Sequence, residues 1–270
     1  MAQITAQLVN QLRQSTGLGM NECKAALVEA DGDLETAISN LRKKGVKAGV
    51  AARAASEGRL FVKKSADGKS AVITEVLCNT DFTARSEPIT QLLTIAADKA
   101  LSGGDAHNDV GLKDLLTNVA QKTGENVTLG RVKVLKNPGG KVGGFLYSVT
   151  NKIAVLASTS ANASDELIND LCLHLTAYKP VALGLTREAV PANVIAKEKE
   201  IAVERAKATG KPQAIAEKIA EGQLASFFKE RVLPEQEFIN PEKFKGTIAD
   251  LLKKNEVTMN EFVRVEIGLD

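Results

Sequence analysis

Two histidines and three cysteines are the only imidazoles and thiols in the chain, and one pair is close in sequence, Cys172 and His174. With Cys78 brought near by folding, they could serve as a metal site or as the nucleophile and base of a hydrolase. The spacing argues otherwise. There is no Cys-x-x-Cys pair and no His-Glu-x-x-His helix. His174 is flanked by Leu173 and Leu175, the setting of a packed, hydrogen-bonded imidazole rather than a general base. His107 lies in a polar stretch. Gly139-Gly140 and Gly143-Gly144 lack the following Lys-Ser/Thr of a phosphate loop and read as turn residues. No catalytic, metal-binding or cofactor-binding residue is expected, and the chain reads as a binder.

The stretch the rest of the chain is organised around runs from Glu75 to Phe82. An apolar, β-branched stretch, Val72 to Cys78, reads as a buried strand. Asn79, Thr80 and Asp81 compete for local backbone hydrogen bonds and should stop it. Helical spacing resumes at Ala84, with Ile89, Leu92, Leu93, Ala96 and Ala97 on one face. Phe82 thus falls at a strand-to-helix junction, in a chain with 8 Phe, 2 Tyr and no Trp. Two readings are open there: Phe82 packs beneath its own helix while Asp81 caps it, or Phe82 projects.

Composition bounds the rest. The chain has 270 residues, 44% hydrophobic and 25% charged, with a formal charge of +2. Those values fit a folded soluble protein and do not demand a nucleic-acid partner. No apolar run of membrane-spanning length occurs, and the start lacks a basic-then-apolar leader. Cys23, Cys78 and Cys172, odd in number and set among apolar neighbours, suit reduced thiols. The expected location is the cytoplasm.

Along the chain, three short helices fit residues 1–45, with Asp33 as an N-cap for the third. Arg42, Lys43, Lys44, Lys47 and Arg53 mark a basic linker, 46–58, without the interleaved aromatics that stack on bases. A core follows as strands at Arg59–Lys64 and Ala71–Cys78, then helices at Ala84–Leu101 and Val110–Lys122. Next come strands at Asn126–Leu135, Gly143–Val149 and Lys152–Ser158, and a helix at Asp165–Ala177. Residues 187–231 read as an antiparallel helical hairpin, Val194, Ile201 and Ala208 facing Ile215, Ile219 and Leu224. Strand at Gln236–Ile239, helix at Thr247–Lys254 and strand at Val257–Ile267 close the chain. The expected class is α+β, with small antiparallel sheets covered by helices on one side. Its two core subdomains are 59–138, and 139–186 with 232–270.

Leu12-Arg13, Thr16-Gly17-Leu18-Gly19-Met20 and Cys23-Lys24-Ala25-Ala26-Leu27, followed by Thr80-Asp81-Phe82 after a strand with a closing Cys, resemble the two signatures of the elongation factor Ts family. Thr123-Gly124-Glu125-Asn126-Val127, Gly210-Lys211-Pro212 and the stretches Glu235–Ile239 and Phe262–Gly268 extend the resemblance over nearly the whole chain. It implies a UBA-like module at the N-terminus and a guanine-nucleotide exchange factor acting on elongation factor Tu, GDP-bound or nucleotide-free. It further implies that Thr80, Asp81, Phe82 and Thr83 disturb the partner's Mg²⁺ and phosphate site, while Arg13 and Met20 grip a second patch. Family members often carry a His in the hairpin matching Tyr147–Thr150. Val149 stands there instead, so its contact is expected to be weak. Some members have a further C-terminal helix, and that contact is expected to be missing after Asp270. The alternative is a non-enzymatic scaffold binding protein or RNA through the three-helix module. The helical hairpin also allows a homodimer.

Overall fold

The computed structural model describes residues 4–16, 20–43, 55–208 and 213–269. The chain opens on α1 (Ala6–Thr16), α2 (Met20–Glu29) and α3 (Leu34–Lys43). Leu12, Cys23, Leu27 and Ala37 are fully buried among them, so the i, i+3, i+4 stripe becomes a small core of its own. Asp31 and Gly32 take left-handed φ values of 51° and 85° where α2 ends. Asp33 then caps α3, its Oδ1 accepting the Thr36 N–H at 2.6 Å. The Gly17-Leu18-Gly19 break and most of the basic linker lie outside the described residues.

Next come β1 (Glu57–Lys64), β2 (Ser70–Cys78), α4 (Asp81–Ala84), α5 (Glu87–Leu101), α6 (Val110–Thr123) and β3 (Thr128–Lys136). They are followed by β4 (Gly140–Leu146), β5 (Ile153–Ser160), α7 (Asp165–Ala177), α8 (Ala192–Ala208), α9 (Gln213–Arg231), α10 (Ile248–Lys254) and β6 (Met259–Glu266). Among the described residues the strands form two antiparallel sheets, ordered β1-β2-β3 and β4-β5-β6. The class is α+β.

Alternation along the central strands sorts side chains into two interiors. Ala71 and Ile73 of β2 meet Ala154 and Leu156 of β5, with Leu60, Val142 and Val265, in one cluster between the sheets. Val72, Val76 and Cys78 point the other way, onto α5 and α6. Val155 and Ala157 point onto α7 and α10. Each sheet is therefore covered by helices on one side and by the other sheet on its inner side. Burial on both faces is why β2 and β5 read as largely apolar runs, broken in β2 by Thr74 and Glu75.

Inside the sheet pair, Glu75 is buried at a β-bulge between Thr74 and Val76. Arg131 meets its carboxylate with Nε at 2.8 Å and Nη2 at 2.6 Å, and Arg131 N–H donates at 2.8 Å. The same guanidinium donates to Glu266 O and Leu269 O, tying the first sheet to the end of β6.

Five sequence readings are corrected by the structure. Gly143 and Gly144 are not turn residues but lie within β4. A Cβ at Gly143 would come 2.1 Å from Ile168 of α7, so glycine there lets the helix close onto the sheet. The helix expected from Ala84 is instead two, α4 beginning at Asp81 and α5 at Glu87, because Pro88 restarts a helix after Ser86. The strand expected through Val149 ends at Leu146, and Val149 sits in the turn before β5. Residues 236–239 make only an isolated bridge, Glu237 to Thr247, after a single 3₁₀ turn at Leu233–Glu235. In the hairpin, Ala208 and Ile215 are exposed, whereas Val194, Ile201, Ile219 and Leu224 are half-buried and, among the described side chains of α8 and α9, Ala202, Ala206 and Ala220 are buried. Buried alanines and half-buried aliphatics together line the contact between α8 and α9. Among the described residues no helix is long and apolar enough to cross a membrane.

Candidate functional site

The site is built where β2 runs out. Cys78 is buried and its Sγ–H donates to Thr80 O at 3.2 Å. Thr80 has extended backbone, φ −128° and ψ 155°, and its Oγ1 accepts the Thr83 N–H at 3.3 Å. Thr80 is thus the N-cap of α4, and Asp81 is the first helical residue. Four residues later Arg85 lies 3.5 Å from the Asp81 carboxylate, and both are largely exposed.

A distant segment holds this turn from behind. Glu125 follows Gly124, the left-handed C-cap of α6 with φ 67°. Its Oε2 accepts the N–H groups of Asn79 at 3.1 Å and Thr80 at 3.0 Å, and its Oε1 accepts Thr80 Oγ1–H at 2.6 Å. Asn79 returns the contact, its Oδ1 accepting Asn126 N–H at 2.7 Å. Burial draws the Glu125 carboxyl upward. Hydrogen bonds from the Thr80 and Thr83 side chains and from the Thr80 and Asn79 backbone outweigh that, and hold it below the ordinary carboxylate range.

With Thr83 and Ala84 turned inward, Phe82 is turned out: it is 85% exposed. The reading in which Phe82 packs beneath its own helix is excluded. The next most exposed large apolar side chain among the described residues is Val149, at 75%. The two belong to different sheets and yet line one groove of about 540 Å³. The Val149 turn is fixed against β1 by Leu60 N–H donating to Asn151 O at 2.8 Å, and by Lys152 meeting Glu57 at 2.5 Å.

Thr80, Asp81, Phe82 and Val149 are therefore brought together, whereas Thr83 packs inside. Arg13, in the last turn of α1, and Met20, the first residue of α2, are both exposed. Glu125 was not singled out by sequence reasoning as a site residue. The available signal was an acid directly after a helix-ending glycine, which does not say what it binds.

Cys172 and His174 are buried in α7. Burial pushes the Cys172 thiol up to about 12, so it is not a ready thiolate. His174 is held at both nitrogens, by Gln236 Oε1 at 3.0 Å and by the Ile239 N–H at 3.2 Å. No group of three or more His, Cys, Asp or Glu among the described residues is arranged to hold a metal ion.

The turn, Glu125 and the Val149 side of the groove fall within residues 79–269, the stretch matched by the family model described as elongation factor TS, while Glu57 to Arg59 of the groove precede it. The chain belongs to the elongation factor Ts family. The similarity extends to curated proteins over almost its full length. The elongation factor Ts of Teredinibacter turnerae is 38% identical over 271 residues, covering 98% of this chain and 91% of the relative. The elongation factors Ts of Yersinia pestis and Yersinia pseudotuberculosis are each 39% identical over 274 residues, covering 99% of this chain and 93% of theirs. Family membership makes this a translation elongation factor.

Proposed function

We propose that the chain is a guanine-nucleotide exchange factor for elongation factor Tu and that Phe82 is its wedge. The single observation that supports this is an aromatic ring 85% exposed on a turn that is itself tied down. A ring left in water by its own protein, on a support that does not yield, is suited to enter another protein. Phe82 inserts between elements of the GTPase domain beside its Mg²⁺ site. Asp81, half-exposed at the helix start, supplies a carboxylate that competes in the metal's hydrogen-bond network. Thr80 and Thr83 shape the turn. Arg13 and Met20 of the helical module grip a second patch of that domain, with a weak contact from Val149.

The energetics follow from reciprocity. A protein that binds the nucleotide-free partner more tightly than the filled one weakens nucleotide binding by the same factor. A ten-thousandfold effect needs about 5.5 kcal/mol, whereas burying one Phe gives about 1.5–3 kcal/mol. The wedge must be joined by other contacts, which is the role of the helical module and the groove. The action is one of differential binding, with no covalent step. The test is release of fluorescent GDP from elongation factor Tu by wild type and Phe82→Ala side by side. Slower release by Phe82→Ala, with unchanged melting, is the expected result. Equal release rates would overturn the wedge.

A further inference from the structure

Beside Phe82, the groove holds a cation that no acid among the described residues pairs with. Five charged side chains line it: Glu57, Arg59, Asp81, Arg85 and Lys152. Lys152 Nζ meets Glu57 Oε2 at 2.5 Å, and Arg85 is 3.5 Å from Asp81. Glu57 is held by Lys152 and the exposed Asp81 faces Arg85, and neither acid meets Arg59. It pairs in register with Val76 of β2, and its Nη1 donates to Thr90 Oγ1 of α5 at 3.1 Å. Thr90 is itself anchored, its hydroxyl donating to Ser86 O at 3.4 Å. A guanidinium has five N–H donors. Among the described residues Thr90 is the partner this one has, and no carboxylate joins it.

We infer that this groove seats an acidic side chain of the partner protein, gripped by Arg59 while Phe82 and Val149 close over it from the two rims. The inference rests on the exchange-factor reading and adds to it the chemistry of the contact beside the wedge. A planar guanidinium receives a carboxylate through two parallel hydrogen bonds, which fixes orientation as well as adding affinity. Thr90 holds the Arg59 fork in place beforehand, so less side-chain freedom is lost on docking. An arginine flanked by an exposed aromatic and an aliphatic is the composition of an interface centre, where covering apolar rims expels water and strengthens the charge contact. A basic side chain placed at Arg59 would meet a like charge, with Glu57 already held by Lys152.

The experiment measures affinity of the full chain for elongation factor Tu, nucleotide-free and GDP-bound, at several salt concentrations. Wild type, Arg59→Gln, Arg59→Lys and Phe82→Ala are compared. Arg59→Gln is expected to bind the nucleotide-free partner roughly tenfold or more weakly, with a shallower salt dependence. Arg59→Lys keeps the charge but not the fork, and is expected to fall between. If Arg59→Gln proves poorly folded by melting, Arg59→Lys carries the comparison. Unchanged affinity of a folded Arg59 variant, while Phe82→Ala still slows GDP release, overturns the inference and leaves the exchange reading standing. A loss confined to the GDP-bound partner also overturns it, because the anion met by Arg59 would then be nucleotide phosphate. GDP release undiminished in Phe82→Ala defeats the exchange reading itself, whatever Arg59 does.

Discussion

Replacing Glu125 by alanine removes three acceptor contacts from the turn that carries Phe82: Asn79 N–H at 3.1 Å, Thr80 N–H at 3.0 Å and Thr80 Oγ1–H at 2.6 Å. A hydrogen bond to a charged group contributes about 1.5–3 kcal/mol when shielded. The Thr80 bonds are exposed, so about 1 kcal/mol each is a fair value after screening, or about 2–3 kcal/mol in all. The opened turn should then be populated roughly 30- to 150-fold more. Glu125 lies on the loop after α6 and not in a core cluster, so the effect should be local. Hydrogen exchange of the Asn79 and Thr80 amides should speed up by about that factor, while amides in the middle of β2 and β5 keep their protection. Release of GDP from elongation factor Tu should slow, because a loose support cannot press Phe82 home. Protonation removes the same contacts. With the Glu125 carboxyl held low in the folded chain, the tie is complete above its ordinary value of 4.5 and is lost as pH falls below it. A Glu125→Ala protein with both amides as protected as in wild type, and an undiminished release rate, would refute the claim that Glu125 stiffens the turn.

Two further outcomes test the scaffold. Glu75→Ala leaves Arg131 without its carboxylate between the sheets, and urea unfolding should show a loss of about 3–5 kcal/mol; a loss under about 1 kcal/mol would mean the pair is idle. His174 accepts the Ile239 N–H on Nδ1, so a proton there would face a donor. Burial, against a smaller opposing effect of Gln236, lowers its pKa from 6.5. The unfolded chain therefore takes up the proton first on acidification, and stability is full above pH 6.5 and declines below it. Urea unfolding at several pH values should show that slope in wild type and a flatter one in His174→Asn; equal slopes would exclude His174 as its source.

Much of the secondary structure was legible because its signals are local. The helix read at Asp165–Ala177 has those bounds in the structure, since Ser164 caps it and its apolar stripe is continuous. The strand before Asn79 and the cap at Asp33 were equally plain. What escaped depends on neighbours far along the chain. Gly143-Gly144 looks like a turn until Ile168 is placed 2.1 Å from where a side chain would be. The hairpin spacing placed Ala208 and Ile215 in the seam, yet both are exposed while Ala202, Ala206 and Ala220 are buried, because spacing gives a period and not the distance between two helices. At the site, strand, stop and aromatic were readable in order, whereas the direction of Phe82 was not. That direction is settled by Thr80 capping α4 and by Glu125, tens of residues downstream. Arg59 gave no signal at all, for an unmatched charge is recognised only once its surroundings are known.

The interior shared by the two sheets has a consequence at the surface. Phe82 hangs from one sheet and Val149 from the other, so the gap between them is a readout of how Leu60 and Ile73 nest against Leu156 and Val265. A slip of that buried contact by one residue would shift one rim of the groove along the other by a residue's rise, about 3.3 Å. On the exchange-factor reading, substitutions far below the surface, touching no partner, would thereby retune the contact at the groove. The jaw's spacing is stored where no partner reaches.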